Sequence, residues 1–249
     1  MARRPLRLAA AQSAARAGDV AANLARHADF VRVARAAGAD LLLFPELSLS
    51  GYEPAHVAAC ALAPDDARLA ALVCPGMQVI VGAPLRAPDP ARPFIGSLCL
   101  HGDGRRSVYR KQHLHPGEEA FASAGPSGAS VFEVQGVACA QAICADISQA
   151  SHPAAARAAG ADVYLAGVLI SVSGYAHDAA LLQGHAAREQ MLVLMANHGA
   201  PSGGYDSAGR SACWDAQGRL VAALPGSGEA LLLIDVHADG HTAAQILEV

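Results

Sequence analysis

Four residues of this 249-residue chain have the types and positions for acyl-transfer chemistry: Glu46, Lys111, Glu118 and Cys144. Cys144 lies in Gln141–Asp146, which follows the apolar run Val137–Ala140 and precedes a polar break, Ser148–His152. A thiol at the end of a strand, at a sharp turn, lies at the rim of a sheet, where backbone N–H groups can face a substrate oxygen. Most cysteines are small core residues, so the thiol needs partners before it reads as a nucleophile: a base or a cation, and donors for an oxyanion. Eleven histidines are present, and His113, His115, His152, His177, His185 and His198 are equal candidates for a Cys-His pair. The carboxylate–lysine set is narrower. Glu46 follows an apolar strand and Pro45, a costly place for an unused charge. Lys111 closes the strand ending Val108-Tyr109-Arg110, and Glu118 follows in a loop. A cation beside the thiol favours thiolate, and two carboxylates flanking a lysine keep it charged.

The elements that must position these residues follow from apolar spacing and turn residues. Leu6–Gln12 reads as a buried strand, and Ala21–Ala37 as a helix with Asp19 as N-cap and Gly38 as its C-cap glycine. Asp40–Phe44 reads as a strand covered on both faces. A helix is expected over Ala55–Val73, interrupted near Pro64, then a strand over Met77–Pro84. Phe94–His101 pairs with Ser107–Arg110 across His-Gly-Asp-Gly-Arg, and Val131–Val134 with Val137–Cys144 across Gln135-Gly136. A helix over Pro153–Ala159, a strand over Val163–Val168, a helix over Tyr175–Gln190 and a strand over Leu192–Ala196 follow. Ser202–Gly204 reads as a flexible loop, Arg210–Trp214 and Arg219–Ala223 as a hairpin, and Leu231–Val236 as the last clear strand. Arg35–Asp40 and Arg157–Asp162 are the same six residues, Arg-Ala-Ala-Gly-Ala-Asp, each between a helix and a strand. That echo suggests two similar αβ halves, hence two sheets packed face to face with helices outside. No Gly-x-Gly-x-x-Gly or Gly-x-x-x-x-Gly-Lys is present, and no composition shift marks a linker.

Composition excludes several classes. The chain is 53% hydrophobic, much of it alanine, and 16% charged, as in a packed globular protein. The net charge of −4 and short, scattered basic pairs argue against nucleic acid as a partner. No apolar run approaches the roughly 18 residues of a membrane span, and Leu6–Ala11 is too short and Arg-interrupted for a signal-peptide core. Six dispersed cysteines without Cys-x-x-Cys or zinc spacing predict free thiols, no metal and a cytoplasmic location.

Four segments together resemble a known family. Leu43-Phe44-Pro45-Glu46 through Gly51-Tyr52 resembles the first signature of the nitrilase (carbon–nitrogen hydrolase) superfamily, Tyr109-Arg110-Lys111 its lysine signature and Ile143-Cys144-Ala145-Asp146 its nucleophile signature. Glu118-Glu119-Ala120-Phe121 with Gly125 is similar to its second-glutamate loop, with spacing that favours Glu118 over Glu119. Ala187-Arg188-Glu189, Ala196–Gly199 and Gly209-Arg210-Ser211 with Gly218 fit later segments, so the likeness runs from Leu6 to about Val236. The resemblance implies one carbon–nitrogen hydrolase domain over residues 1–249, a four-layer αββα sandwich, and assembly into homodimers or larger homo-oligomers. It implies an amidase-type mechanism without cofactor: Glu46 as base, Cys144 as nucleophile, Lys111 and the Ala145 N–H as oxyanion donors, Glu118 as a positioning or substrate-binding group, with a small-molecule amide and water as substrates. A true nitrilase and a non-catalytic binding or scaffold member of the fold are the alternatives. The nitrilase branch usually carries Cys-Trp-Glu, against Cys-Ala-Asp here.

One segment departs from the pattern. The proline that follows Cys by six residues in the family is Pro153, nine after Cys144, so the turn Ile147–His152 is about three residues longer. Ala154 replaces a glutamate and His152 an aromatic residue. Substrate selection is expected in that turn, with His152 and Tyr52 as candidate pocket residues and Tyr175 as another. Asp146 is expected to be structural, Glu119 solvated, Trp214 core or interface, and Arg188 in a buried ion pair.

Overall fold

A computed structural model describes residues 4–249, and Met1–Arg3 lie outside the described residues. Among the described residues the chain forms thirteen strands and four α-helices. The first half contains β1 (Leu6–Gln12), α1 (Val20–Ala36), β2 (Leu41–Leu43), the short α2 (Pro54–Val57), β3 (Gln78–Leu85), β4 (Phe94–Leu100) and β5 (Arg106–Arg110). The second contains β6 (Val131–Val134), β7 (Val137–Ile143), α3 (Ser151–Ala158), β8 (Val163–Val168), α4 (Tyr175–Glu189) and β9 (Leu192–Asn197). It continues with β10 (Ala212–Trp214), β11 (Leu220–Ala223), β12 (Ala230–Val236) and β13 (Thr242–Leu247).

The strands form two sheets, ordered β13-β12-β1-β2-β3-β4-β5 and β11-β10-β9-β8-β7-β6. Leu8, Leu41, Leu43 and Ile80 from the first sheet meet Cys139, Leu165, Leu194 and Cys213 from the second in one buried cluster. The opposite faces are covered by helices. Leu24, Phe30, Val31 and Ala34 of α1 recur at three- and four-residue spacing and pack on Leu42, Val79 and Val81. Leu182 and Ala186 of α4 and Ala156 of α3 pack on Tyr164, Val193 and Met195. The result is the expected αββα sandwich.

The repeated hexapeptide builds the same corner twice. Gly38 and Gly160 both take positive φ, +75° and +93°. In each copy the glycine N–H returns to the arginine carbonyl, Gly38 to Arg35 and Gly160 to Arg157, both at 2.9 Å. The next amide bonds five residues back, Ala39 to Ala34 at 3.0 Å and Ala161 to Ala156 at 3.1 Å. These are helix C-terminal closures that a left-handed glycine makes possible. Asp40 and Asp162 then each donate a backbone N–H at 2.8 Å to the strand preceding the helix, at Arg7 and Ala138. The two halves are thus β1-α1-β2 and β7-α3-β8, with both strand pairs parallel.

Two expectations are corrected. Ala55–Val73 is not one broken helix: beyond α2 only a 3-10 turn forms, over Ala67–Leu72. Pro64 disfavours helical geometry at Ala63, and Leu62 is drawn instead to the edge of β3, bonding Pro84 and Arg86. The strand Leu231–Val236 is followed by β13, which pairs with it from Leu231↔Leu247 to Val236↔Thr242. As an edge strand β13 buries little, so its sequence lacks a clear alternation.

Candidate active site

Glu46 sits where the chain leaves β2 and dips between the sheets. Gly82 of β3 makes room for it: a Cβ there would collide with the Pro45 carbonyl and the Leu47 amide. Leu47 takes φ of +49°, turning the chain sharply after the glutamate. His198 Nε2 lies 2.6 Å from the Glu46 carbonyl oxygen and donates to it. Burial pushes His198 down to about 4, so the ring is neutral and its buried Nδ1 has no protein partner. On the other side His27 stacks on Phe44 at 3.9 Å. Its Nδ1 donates to the Asn23 carbonyl at 2.7 Å and its Nε2 accepts from Ser48 Oγ at 2.9 Å. Burial pushes His27 down to about 3. Neither histidine is distinguished in the sequence, because His198 acts on the Glu46 carbonyl and His27 on the Phe44 and Ser48 side chains, each from a distant element.

Lys111, fully buried at the end of β5, lies between two carboxylates. Its Nζ is 2.7 Å from Glu46 Oε1 and 2.7 Å from Glu118 Oε1. Glu118 Oε1 also accepts from Tyr52 Oη at 2.8 Å, and its Oε2 accepts the His115 backbone N–H at 2.8 Å. Burial works against the lysine ammonium, but Glu46, Cys144 and Glu118 outweigh it and hold Lys111 above its ordinary value. Burial raises Glu46 to about 7, with Lys111 opposing and Glu118 adding to the rise. Glu46 Oε2 is buried with no hydrogen-bond partner.

Cys144 begins a 3-10 turn, Cys144–Ser148, directly after β7. Its φ of +41° lies in the left-handed region that non-glycine residues rarely occupy. The strain is held by Asp146, whose Oδ2 accepts the Ile143 N–H at 3.0 Å and Tyr109 Oη at 2.6 Å. Asp146 Oδ1 accepts the Gln112 and His113 N–H groups at 3.1 and 2.9 Å. One carboxylate therefore ties the turn bearing Cys144 to the segment just after Lys111, and the structural expectation for Asp146 is met. Ala145 lies in the first turn, where backbone N–H groups have no intrahelical acceptor. The Cys144 thiol, 3.7 Å from the Leu169 carbonyl, is pushed up by burial and by Glu46, with Lys111 opposing. The expected thiolate bias is thus reversed. The lysine's pull is outweighed, and the thiol needs a base as it reacts.

A cavity of about 50 Å³ opens onto this cluster, lined by Glu46, Tyr52, His115, Glu118, Cys144, Leu169 and Tyr205. Of the sequence candidates, Glu46, Tyr52, Glu118 and Cys144 face it, and Lys111 stands behind the two glutamates. His152 and the rest of Ile147–His152 do not line it. Ile147 is buried under α4, Ser148–Ser151 are exposed, and His152 is buried behind the turn that bears Cys144. Tyr109 donates its proton to Asp146, so its oxygen accepts from His152 Nε2–H at 2.8 Å. His152 Nδ1 then accepts from the buried Tyr164 hydroxyl at 2.8 Å. His152 thus supports Asp146 through Tyr109, correcting its assignment as a pocket residue. Tyr175 only packs, donating to the Arg210 carbonyl at 2.8 Å. Arg188 is exposed and bonds His185 rather than a buried carboxylate. Trp214 is core and Glu119 exposed. Leu169 and Tyr205 are the lining residues that sequence reasoning did not select, and His115 is the one histidine of the Cys-His candidates that lines the cavity. Among the described residues, no group of three His, Cys, Asp or Glu side chains is arranged to hold a metal ion, and no helix is long and apolar enough to cross a membrane.

Two facing sheets between helix layers, with a lysine between two glutamates beside a strand-end cysteine, define a hydrolase-like site. The chain belongs to the carbon–nitrogen hydrolase family, whose model matches residues 7–245. It is similar to a glutamine-dependent NAD(+) synthetase of Xylella fastidiosa, 35% identical over 156 residues, which are 57% of this chain and 28% of that protein. The chain therefore spans under a third of that relative. An (R)-stereoselective amidase of Pseudomonas sp. is 29% identical over 222 residues, 84% of this chain and 77% of the amidase. Among solved structures, a nitrilase-superfamily amidase of Nesterenkonia AN1 superposes with a TM-score of 0.86 at 26% identity, covering 95% of this chain and 93% of that one. A glutamate-to-glutamine variant of that amidase carries the acetamide moiety of fluoroacetamide covalently on its active-site cysteine. It matches at TM-score 0.86 and 25% identity, over 95% and 93% of the two chains.

Proposed function

We propose that this protein is a small-molecule amidase that hydrolyses a carboxamide C–N bond through a thioester on Cys144. The observation that carries the reading is the Lys111 ammonium held at 2.7 Å from both Glu46 and Glu118, with the second Glu46 oxygen buried and unpartnered beside the cysteine. Glu46 Oε2 takes the thiol proton as the sulfur attacks the amide carbon. Lys111 and the Ala145 N–H stabilise the tetrahedral oxyanion. Glu46 returns the proton to the nitrogen, the C–N bond breaks, and ammonia or an amine leaves. Glu46 then takes a proton from water as it attacks the thioester, and the carboxylic acid departs as Cys144 recovers its proton. Glu118 holds Lys111 in place. Glu46 at about 7 is suited to a base that gives its proton back near neutral pH.

The test is ammonia release from matched amide and nitrile pairs by the wild type and Cys144→Ala. Amide turnover that is lost in the variant, with the fold retained, is expected. Preferential nitrile turnover, or near wild-type amide hydrolysis by the variant, overturns the reading. The six unbridged cysteines support a reducing, cytoplasmic setting. The family likeness supports a homodimer or larger homo-oligomer, which light scattering reads directly.

A further inference from the structure

Tyr205 is one of the few large hydrophobic side chains with substantial exposure, 44%, and it stands at the cavity over Cys144. It is held there by a built turn. Ser202 and Tyr205 exchange backbone hydrogen bonds at 3.1 and 2.9 Å. Ser202 Oγ accepts the Tyr52 N–H at 2.9 Å, and the Gly203 N–H donates to Glu53 Oε1 at 2.8 Å. The segment expected to be a flexible loop is thus stapled to the residues that present Tyr52. The Tyr205 ring meets the Tyr52 ring edge-on, with centroids 5.8 Å apart, and Phe121 also meets Tyr52 edge-on at 6.3 Å. Such pairs are favourable beyond their buried area, so Tyr205 belongs to a row of edge-to-face rings anchored on Tyr52, whose hydroxyl bonds Glu118.

The space this wall leaves is small. About 50 Å³ is far below the roughly 150 Å³ in which an apolar cavity takes up a benzene ring. The acyl portion must occupy it, because that portion stays on the cysteine while the amine leaves. The charges at the cavity add a second restriction. Two carboxylates, Glu46 and Glu118, face it, the nearby lysine is already shared between them, and no arginine is among its lining residues. A carboxylate on the acyl group would be crowded against two buried carboxyl groups and would meet no guanidinium.

Resting on the amidase reading, we infer that Tyr205 is a specificity-determining residue that restricts this site to carboxamides with a short acyl group bearing no negative charge. The test uses the full chain as wild type, Tyr205→Phe and Tyr205→Ala, with two readouts. In the first, kcat/KM is measured for acetamide, butyramide, benzamide and succinamate. Tyr205→Ala is expected to raise the benzamide-to-acetamide ratio about tenfold or more, the scale on which pocket size discriminates. Tyr205→Phe, which keeps the ring, leaves the ratio near wild type, and succinamate stays far below butyramide. The second readout needs no turnover: the rates at which iodoacetamide and N-phenyl-2-iodoacetamide alkylate Cys144, followed by peptide mass. Tyr205→Ala is expected to favour the phenyl reagent by a similar factor. A benzamide ratio or an alkylation ratio that is the same in Tyr205→Ala as in the wild type overturns the role of Tyr205. Succinamate turnover equal to that of butyramide overturns the charge restriction. A wild type that releases no ammonia from any amide defeats the amidase reading instead, and the alkylation ratio then decides the role of Tyr205.

Discussion

Replacing Glu46 by glutamine separates catalysis from stability in a way the site geometry makes quantitative. Glutamine keeps the shape of the side chain and removes the proposed base. Loss of a general base lowers turnover about 10²–10⁴-fold, and the rise of kcat/KM through about pH 7, where Glu46 loses its proton, should vanish with it. Stability moves the other way. The folded protein holds Glu46 at about 7 against an ordinary 4.5, because burial disfavours the charge more than Lys111 supports it. A carboxylate raised in the folded state is more protonated there than in the unfolded chain between pH 4.5 and 7. Wild-type stability from this group is therefore lost as pH rises across that window. At about 1.4 kcal/mol per tenfold change, the ionised group costs about 3 kcal/mol by pH 8. Glu46→Gln escapes that cost. Its Tm should exceed that of the wild type by something on the order of 5–10 °C at pH 8 and approach it at pH 4.5. Thermal melts at pH 4.5, 6, 7 and 8, paired with ammonia-release assays, measure both effects. A variant less stable than wild type at pH 8, or a Tm difference that ignores pH, would refute the electrostatic account of Glu46.

Other perturbations probe the same site. Lys111→Met leaves two buried carboxylates facing each other without their cation. Urea melts should show a loss of about 3–5 kcal/mol, accompanied by a drop in kcat of about 10²–10³ from loss of the proposed oxyanion donor. His152→Phe restores the aromatic residue of the family pattern but strips Tyr164 of its acceptor and Tyr109 of a donor. A destabilisation of about 1–3 kcal/mol follows, and His152→Gln, which can bond both hydroxyls, should recover part of it. His27 and His198, pushed down to about 3 and about 4 by burial, are held neutral by the fold. Their contribution is complete above the ordinary value of 6.5 and falls as pH drops toward the folded value, by about 1.4 kcal/mol per pH step for each ring. Urea titrations between pH 4.5 and 6.5 should therefore show a shallower acid loss in His198→Gln than in the wild type.

Glu46, Lys111 and Cys144 were legible because each sits in a contiguous motif at a strand end, where a charge or thiol has little other reason to be, and Glu118 by its spacing from Gly125 in the loop after Lys111. Glu46 after β2, Lys111 after β5 and Cys144 after β7 meet because the repeated hexapeptide corner builds two like halves whose sheets pack face to face. The cavity wall was not legible in the same way. Leu169 and Tyr205 reach it from elements far along the chain, and Tyr205 depends on hydrogen bonds from the Tyr52 N–H to Ser202 Oγ and from the Gly203 N–H to Glu53 Oε1 that no local pattern encodes. The longer turn after Asp146 was misjudged for a physical reason. Proximity to Cys144 in sequence suggested the pocket, but Asp146 anchors the strand end and the chain then runs away from the cavity, leaving His152 to brace Tyr109 from behind. Likewise the neutral histidines at Glu46 act through backbone and packing, on His198 to the Glu46 carbonyl and His27 against Phe44, and carry no signal in their own neighbourhoods.

The central claim is that Cys144 carries the acyl group. Rapid acid quenching of the wild type during turnover of butyramide, followed by peptide mass mapping, tests it most directly. The account predicts a butyryl thioester on the peptide containing Cys144 and none in Cys144→Ala. An acyl group on any other residue, or turnover of the amide by Cys144→Ala at a rate near that of the wild type, would contradict it.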